Sequence, residues 1–419
     1  MQATESRFLP PALRSRNYRL FFGGQGISLI GTWMTQIATV WLVYHITNSA
    51  FMLGVVGFTS QIPNFLLTPF GGVFADRFPR RRILVTTQIL SMVQSLTLAA
   101  LALTNTIEIW HIIGLSLFQG TISAIDAPAR QVFVTELIER KQDLPNAIAI
   151  NSTMFNGARL IGPAIGGLLI ARVGEGYCFL IDGLSYIAVI IALLAMRFKP
   201  KSIPVADGNP LQKIKEGFTY AFGCPPIRAI LLLSCLVSLM GMQYTVLVPV
   251  FANKILKGDA QTLGFLLAAS GVGAVAGGIY LATRTTVVGL GKLVVIGPAI
   301  LGIGLITFAL SRFLPLSLLA MLTIGLGTIL QIAAGNTILQ TIVEDDKRGR
   351  VMSLYTMSFL GITPFGSLLG GSLADRIGAT PTLMIAGSAC ILGSIFFSKQ
   401  LPPLKKIVYE IYRKKGILS

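Results

Sequence analysis

The sequence predicts an all-α membrane protein, with twelve transmembrane helices in two pseudo-symmetric six-helix bundles and both termini cytoplasmic. Three observations predict it. The 419 residues are 53% hydrophobic and only 12% charged, with mean hydropathy +0.73, whereas a soluble domain carries about 25% charged residues. Twelve apolar runs reach the roughly 20 residues that a helix needs to cross a bilayer. The basic residues concentrate in alternate connecting segments, which fixes one orientation. Such a chain cannot cover a folded surface with solvated groups, so disorder and a large water-soluble enzyme are excluded.

Taken in order, the runs lie at 18–44, 51–75, 83–104, 110–137, 145–171 and 177–196, then at 227–251, 262–283, 293–311, 315–340, 351–374 and 380–398. The first follows Arg7, Arg14, Arg16 and Arg19. It is too long for a signal-peptide core and has no small-residue cleavage site, so it is expected to be retained. With the N-terminus inside, 27 of the 34 basic residues fall on cytoplasmic segments and only Arg172, Lys254, Lys257, Arg312 and Arg376 on outer loops. The net charge of +17 therefore reports orientation, and no nucleic-acid partner is expected. Cys178, Cys224, Cys235 and Cys390 show no paired spacing, and His45 and His111 are the only histidines. No metal site is expected.

The longest hydrophilic stretch follows the sixth run and divides the chain into a bundle at 1–196, a cytoplasmic linker at 197–226, a second bundle at 227–399 and a basic cytoplasmic tail at 400–419. The halves echo each other. Gly166-Gly167 through Arg172 and Gly174 matches Gly370-Gly371 through Arg376 and Gly378, and Leu53-Gly54 matches Leu263-Gly264. Two duplicated six-helix halves describe a secondary transporter with its site at mid-membrane. There is no phosphate-binding Gly-x-x-x-x-Gly-Lys-Ser/Thr loop, so no ATP site, cofactor or enzymatic activity is expected.

Charges inside spans are costly, by about 2.5–3.5 kcal/mol each near a helix centre. Span four holds Asp126 and Arg130, one turn apart on one face. Span five, its antiparallel neighbour, holds Arg159. The depths bring all three within side-chain reach. They are read either as an ion-pair brace or as a proton-coupling site, with Asp126 the acceptor and the surplus positive charge favouring an acidic or polar substrate group. Gln25, Ser28, Thr32, Gln36 and Thr39 form one face of span one. With Gln61, Asn64 and Asn156, and with Gln243, Tyr244, Gln331, Asn336 and Tyr355 from the second half, they are expected to line a mixed polar and apolar cavity for an amphiphilic solute. Asp182 reads as a carboxylate answering the dipole at the start of span six.

Between spans two and three, Gly72 is followed by Asp76-Arg77 and then Arg80-Arg81-Arg82. This resembles the cytoplasmic loop motif of the major facilitator superfamily, in which the residues matching Asp76 and Arg80 latch against the start of span eleven. The alternative is an ordinary basic loop at headgroup level. Span five carries Gly162-Pro163-Ala-Ile-Gly166-Gly167, similar to the motif of exporters that exchange substrate for protons; plain helix packing is the alternative. Ala158 and Ser116 depart from the superfamily's Gly and Arg at those places. Gly-Thr-Trp33-Met-Thr-Gln36, Asp126-Ala-Pro-Ala-Arg130 and Asn156-Gly-Ala-Arg159 resemble the branch that contains enterobactin and macrolide exporters.

The resemblance implies a monomeric, multi-pass transporter of the bacterial cytoplasmic (inner) membrane, surrounded by membrane lipid. It would export an amphiphilic small molecule such as a siderophore or drug by alternating access, driven by the proton gradient. Proton-coupled uptake and lysophospholipid flipping are the competing activities. A non-transporting receptor would need longer outer loops than these.

Overall fold

The computed structural model describes residues 10–138, 140–197, 210–284 and 286–415; the side chains of 69–77, 141, 210–215 and 414 lie outside that description. Among the described residues, twelve helices are long and apolar enough to cross a membrane. Spans one to six are Arg16–Thr47, Ala50–Arg77, Arg80–Leu103, Ile109–Glu136, Leu144–Val173 and Glu175–Ala195. Spans seven to ten are Pro225–Ile255, Ala260–Ala282, Leu290–Leu310 and Leu314–Ile342. Span eleven is Asp345–Ile377 and span twelve Ala379–Lys414.

The ends of these helices follow from local chemistry. Ser15 caps span one, its hydroxyl accepting from the Tyr18 amide and donating to the Leu137 carbonyl. Asn48 ends that span in the left-handed region at φ 50°, which a short polar side chain tolerates. Gly174 and Gly378, at φ +90° and +93°, turn the chain between spans five and six and between eleven and twelve. They are the paired glycines of the internal repeat, and the repeat is explained by the fact that a residue with a Cβ would be strained in either turn.

The chain forms two compact units. The first comprises residues 1–48, 59–206 and 259–264; the second comprises 49–58, 207–258 and 265–419. In the first, span six packs on spans one and three, and span four on span three. In the second, span twelve packs on spans seven and nine, and span ten on span nine. The two units thus repeat one packing scheme. Lipid tails supply no hydrophobic drive between helices, so association relies on close packing of small residues. Gly302 and Gly387 bring spans nine and twelve together, each placed so that a Cβ would meet the other's carbonyl at 2.5–2.6 Å.

Two segments differ from expectation. Span twelve does not end near residue 398 but continues helically through Pro402 and Pro403. There, Leu401, Leu404, Val408 and Tyr412 recur at helical spacing and Leu404 and Tyr412 are buried, so apolar packing outweighs the two missing amide donors. The expected linker contains a helix at Pro210–Gly223, while 198–209 lies outside the described residues. Glu216 on this helix pairs with Arg350 at 2.7 Å.

Candidate functional site

Asp126 is 4% exposed. It pairs with Arg130 one turn on, and its Oδ1 accepts from Thr87 at 2.7 Å and Gln88 at 3.1 Å, both on span three. Pro128 lies between the two charged residues, where it removes one amide from the helical ladder. The carboxylate is therefore neutralised by its own helix and saturated by its neighbour.

Arg159 does not join this cluster. Its guanidinium lies over the Trp33 ring, 5.8 Å from the centroid, and none of the ion pairs among the described residues includes it. The three charges were expected to meet from their depths alone. Depth fixes height and not the direction in which a side chain leaves its helix, and Arg159 leaves toward span one. Phe155, one turn earlier, meets the same ring edge-on at 5.8 Å. Gly162 accommodates Trp33 from beneath, since a Cβ there would lie 2.5 Å from the tryptophan Cβ.

Asp182 is the residue that the sequence reading undervalued. It is 2% exposed and lies seven residues into span six, beyond the first turn where the helix dipole acts. Its oxygens face three hydroxyls: Thr35 Oγ1 at 3.0 Å, Ser95 Oγ at 3.0 Å and Thr32 Oγ1 at 3.5 Å. No basic side chain pairs with it among the described residues. Gly31 makes room, because a Cβ there would stand 2.9 Å from Asp182 Oδ1. Thr32 lies on the polar stripe of span one, whereas Thr35, three residues on and outside that stripe, is the second hydroxyl that span one turns to Asp182.

The stripe itself splits by burial. Gln25 and Ser28 are buried, whereas Thr32 and Gln36 are exposed. Gln61, Asn64, Asn156 and Arg159 are intermediate. Unit one thus carries an accessible polar set around a half-buried tryptophan. In unit two most of the residues expected to line the cavity lie inside the helix packing. Gln243, Tyr244, Gln331 and Tyr355 are buried, and each finds a partner within the unit. Gln243 donates to the Leu239 carbonyl, Tyr244 meets Ser270, Gln331 donates to Ser234 and Tyr355 to the Ile332 carbonyl. Gln331 and Tyr355 thereby tie span ten to spans seven and eleven, whereas Gln243 bonds within its own helix; Asn336 alone of that set is partly accessible.

The described residues contain three widened helical turns, one of them at Phe251–Ile255 near the end of span seven. Span seven contains a π turn at Val237–Gly241 and span eleven another at Met357–Gly361. Ser238 from the first donates to the Phe359 carbonyl of the second and lies 3.0 Å from Thr363. Pro364, with no amide to give, frees a carbonyl one turn back, and such insertions often mark functional positions.

Of the loop motif, Gly72, Asp76 and Arg77 have side chains outside the described residues. Arg80 pairs with Glu136 at the end of span four, and Arg81 donates to the Leu194 carbonyl of span six at 2.7 Å. In span five, Gly162, Pro163, Gly166 and Gly167 are all buried. Gly166 faces Met34 and Ile37 of span one, and Gly167 faces Ala260 and Gly264.

A sequence profile described as "transmembrane secretion effector" matches residues 6–410. The chain is 28% identical over 390 residues to the staphyloferrin A transporter of Staphylococcus aureus, covering 92% of this chain and 97% of that one. It is 26% identical over 378 residues to the enterobactin exporter EntS of Escherichia coli, covering 90% and 88%. The fold matches the crystal structure of a bacterial homologue of the human lysosomal transporter Spinster, with TM-score 0.71, 13% identity and coverage of 96% and 98%. These relatives are transporters and not enzymes, and twelve apolar helices make the chain a multi-pass protein of the bacterial inner membrane. The chain belongs to the transmembrane secretion effector family of the major facilitator superfamily.

Proposed function

We propose that the protein exports an amphiphilic, siderophore-like small molecule by alternating access and that Asp182 carries the exchanged proton. The observation that carries the coupling step is the buried Asp182 carboxyl, ringed by hydroxyls and with no ion-pair partner among the described residues. An isolated charged carboxylate is costly to bury, and intramembrane carboxyls of this kind commonly serve proton relays.

The hydrogen inventory favours the same reading. Thr32 also donates to the Ser28 carbonyl at 3.0 Å, and Ser95 to the Phe179 carbonyl at 2.9 Å. Each hydroxyl has one hydrogen. Two of the three are therefore contested when Asp182 is ionised, and a proton on Asp182 supplies the missing donor toward Thr32. Protonation and deprotonation would then redistribute bonds among spans one, three and six. Asp126, paired with Arg130, serves as the brace, and Arg159 over Trp33 supplies the free positive charge for an acidic or polar group of the substrate.

The decisive experiment is transport in inside-out proteoliposomes under an imposed pH gradient, using iron-free catecholate and hydroxycarboxylate siderophores. The expected result is gradient-driven accumulation that Asp182→Asn abolishes while substrate binding persists. Accumulation indifferent to the gradient, or an Asp182→Asn variant that transports as the wild type, overturns the reading.

A further inference from the structure

We infer that unit two contains a binding site for one anionic phospholipid, independent of the transport pathway. A cavity of about 510 Å³ opens between the start of span seven, the connection from span eight to nine, and the helical extension of span twelve. Three cations line it, Arg284, Lys292 and Lys405, with no carboxylate among the lining residues. Most of the rest of the wall is apolar or aromatic, including Leu401, Val408 and Tyr409. A phosphate group with attached acyl chains fits this chemistry, because the phosphate answers the cations and the chains cover the apolar wall.

Two further features mark the phosphate end. Arg284 is anchored by donating to the Val288 carbonyl at 2.7 Å, yet its Nε is buried and has no acceptor. An unsatisfied buried donor of this kind calls for a partner. Gly289, in the left-handed region at φ +86°, caps the start of span nine, and both it and Lys292 line the cavity. The Leu290 and Lys292 amides already bond the Val287 and Gly289 carbonyls, and it is the positive dipole end of that 21-residue helix that favours an anion at the same place. Lys405 is held over the Tyr409 ring at 4.9 Å, so the third cation is positioned before any ligand arrives. The helical continuation of span twelve past Pro402-Pro403 is what completes the wall, which gives that extension a purpose.

The test is native mass spectrometry with a thermal-unfolding titration on the full-length protein in detergent. The probes are phosphatidylglycerol, phosphatidylcholine and glycerol 3-phosphate. The expected result is one phosphatidylglycerol retained per chain, with no comparable binding of the other two. Lys292→Gln with Lys405→Gln should weaken retention by about thirtyfold, following from the usual contribution of basic residues near anionic lipid. Both lysines are exposed, so this variant should fold as the wild type; Arg284→Gln is the second variant. Lys406→Gln, exposed on the same helix and not lining the cavity, should change nothing. Equal binding of phosphatidylcholine, binding of glycerol 3-phosphate without the lipid, or a Lys292/Lys405 variant that retains lipid as the wild type overturns the proposal.

Discussion

Gly167 and Gly264 lie in backbone contact within unit one: a Cβ added to Gly167 would stand 2.9 Å from the Gly264 Cα and 2.6 Å from the Ala260 carbonyl. Unit two repeats the relationship with Gly371 and Gly54, where the distances are 2.8 Å to the Gly54 Cα and 2.6 Å to the Ala50 carbonyl. The two sequence echoes noted separately along the chain are therefore each other's contact partners. Backbone cannot retreat as a flexible side chain can, so Gly167→Val and Gly371→Val should each destabilise by about 1–3 kcal/mol. Gly157, with no atom within 4 Å of an added Cβ, is the control: Gly157→Ala should stay within about 0.5 kcal/mol. Thermal unfolding of the purified variants measures both.

The second prediction concerns Asp126 and Arg130. Removing one member of a buried pair leaves an uncompensated charge, at a cost of about 3–5 kcal/mol. Arg130 keeps 30% of its side chain exposed, which places the loss near the lower end. Asp126→Asn and Arg130→Gln should each lower the melting temperature, and the double variant should recover most of the loss. A double-mutant cycle reads the coupling directly. If Asp126 is a brace, the double variant also keeps gradient-driven transport.

How far the sequence reached is visible in these residues. Span number and the internal repeat were legible because lipid demands long apolar helices and because close helix packing demands glycine at fixed places. Asp126 and Arg130 were legible because a spacing of four forces one face. Arg159 and Asp182 were not, because their partners lie on span one and on spans one and three. Rotation of one helix against another has no signature in a single sequence. The same gap hid the burial of Gln331 and Tyr355, polar residues whose partners lie on other helices of their own unit.

The third prediction separates the hydroxyls around Asp182. Thr35 has no competing backbone acceptor for its hydrogen among the described bonds, whereas Ser95 shares its hydrogen with the Phe179 carbonyl. Thr35→Val should therefore slow gradient-driven transport more than Ser95→Ala. Each loses one hydrogen bond to a charged group, worth about 1.5–3 kcal/mol when fully committed. Initial rates at several pH values on the two faces of the vesicle test the order, and equal rates in both variants would contradict it.

The last prediction rests on Arg159 over Trp33. A cation held against an aromatic face contributes about 0.5–2 kcal/mol according to its exposure, and Arg159 is only partly buried. Arg159→Gln should accordingly change thermal stability by less than about 1 kcal/mol. Its effect on an acidic solute should be larger, because no carboxylate among the described residues pairs with the charge and a charge-assisted bond is roughly twice as strong as a neutral one. Binding of an anionic siderophore should weaken by about tenfold or more, while a neutral amphiphile of similar size binds nearly unchanged. Arg159→Lys keeps the charge but loses the planar group that stacks on indole, so it should fall between the two. The indole itself supplies the measurement. Tryptophan fluorescence, with Trp41→Phe and Trp110→Phe leaving only Trp33, should shift on titration with the anionic solute and not with the neutral one. Equal weakening for both solutes would instead assign Arg159 to packing against span one.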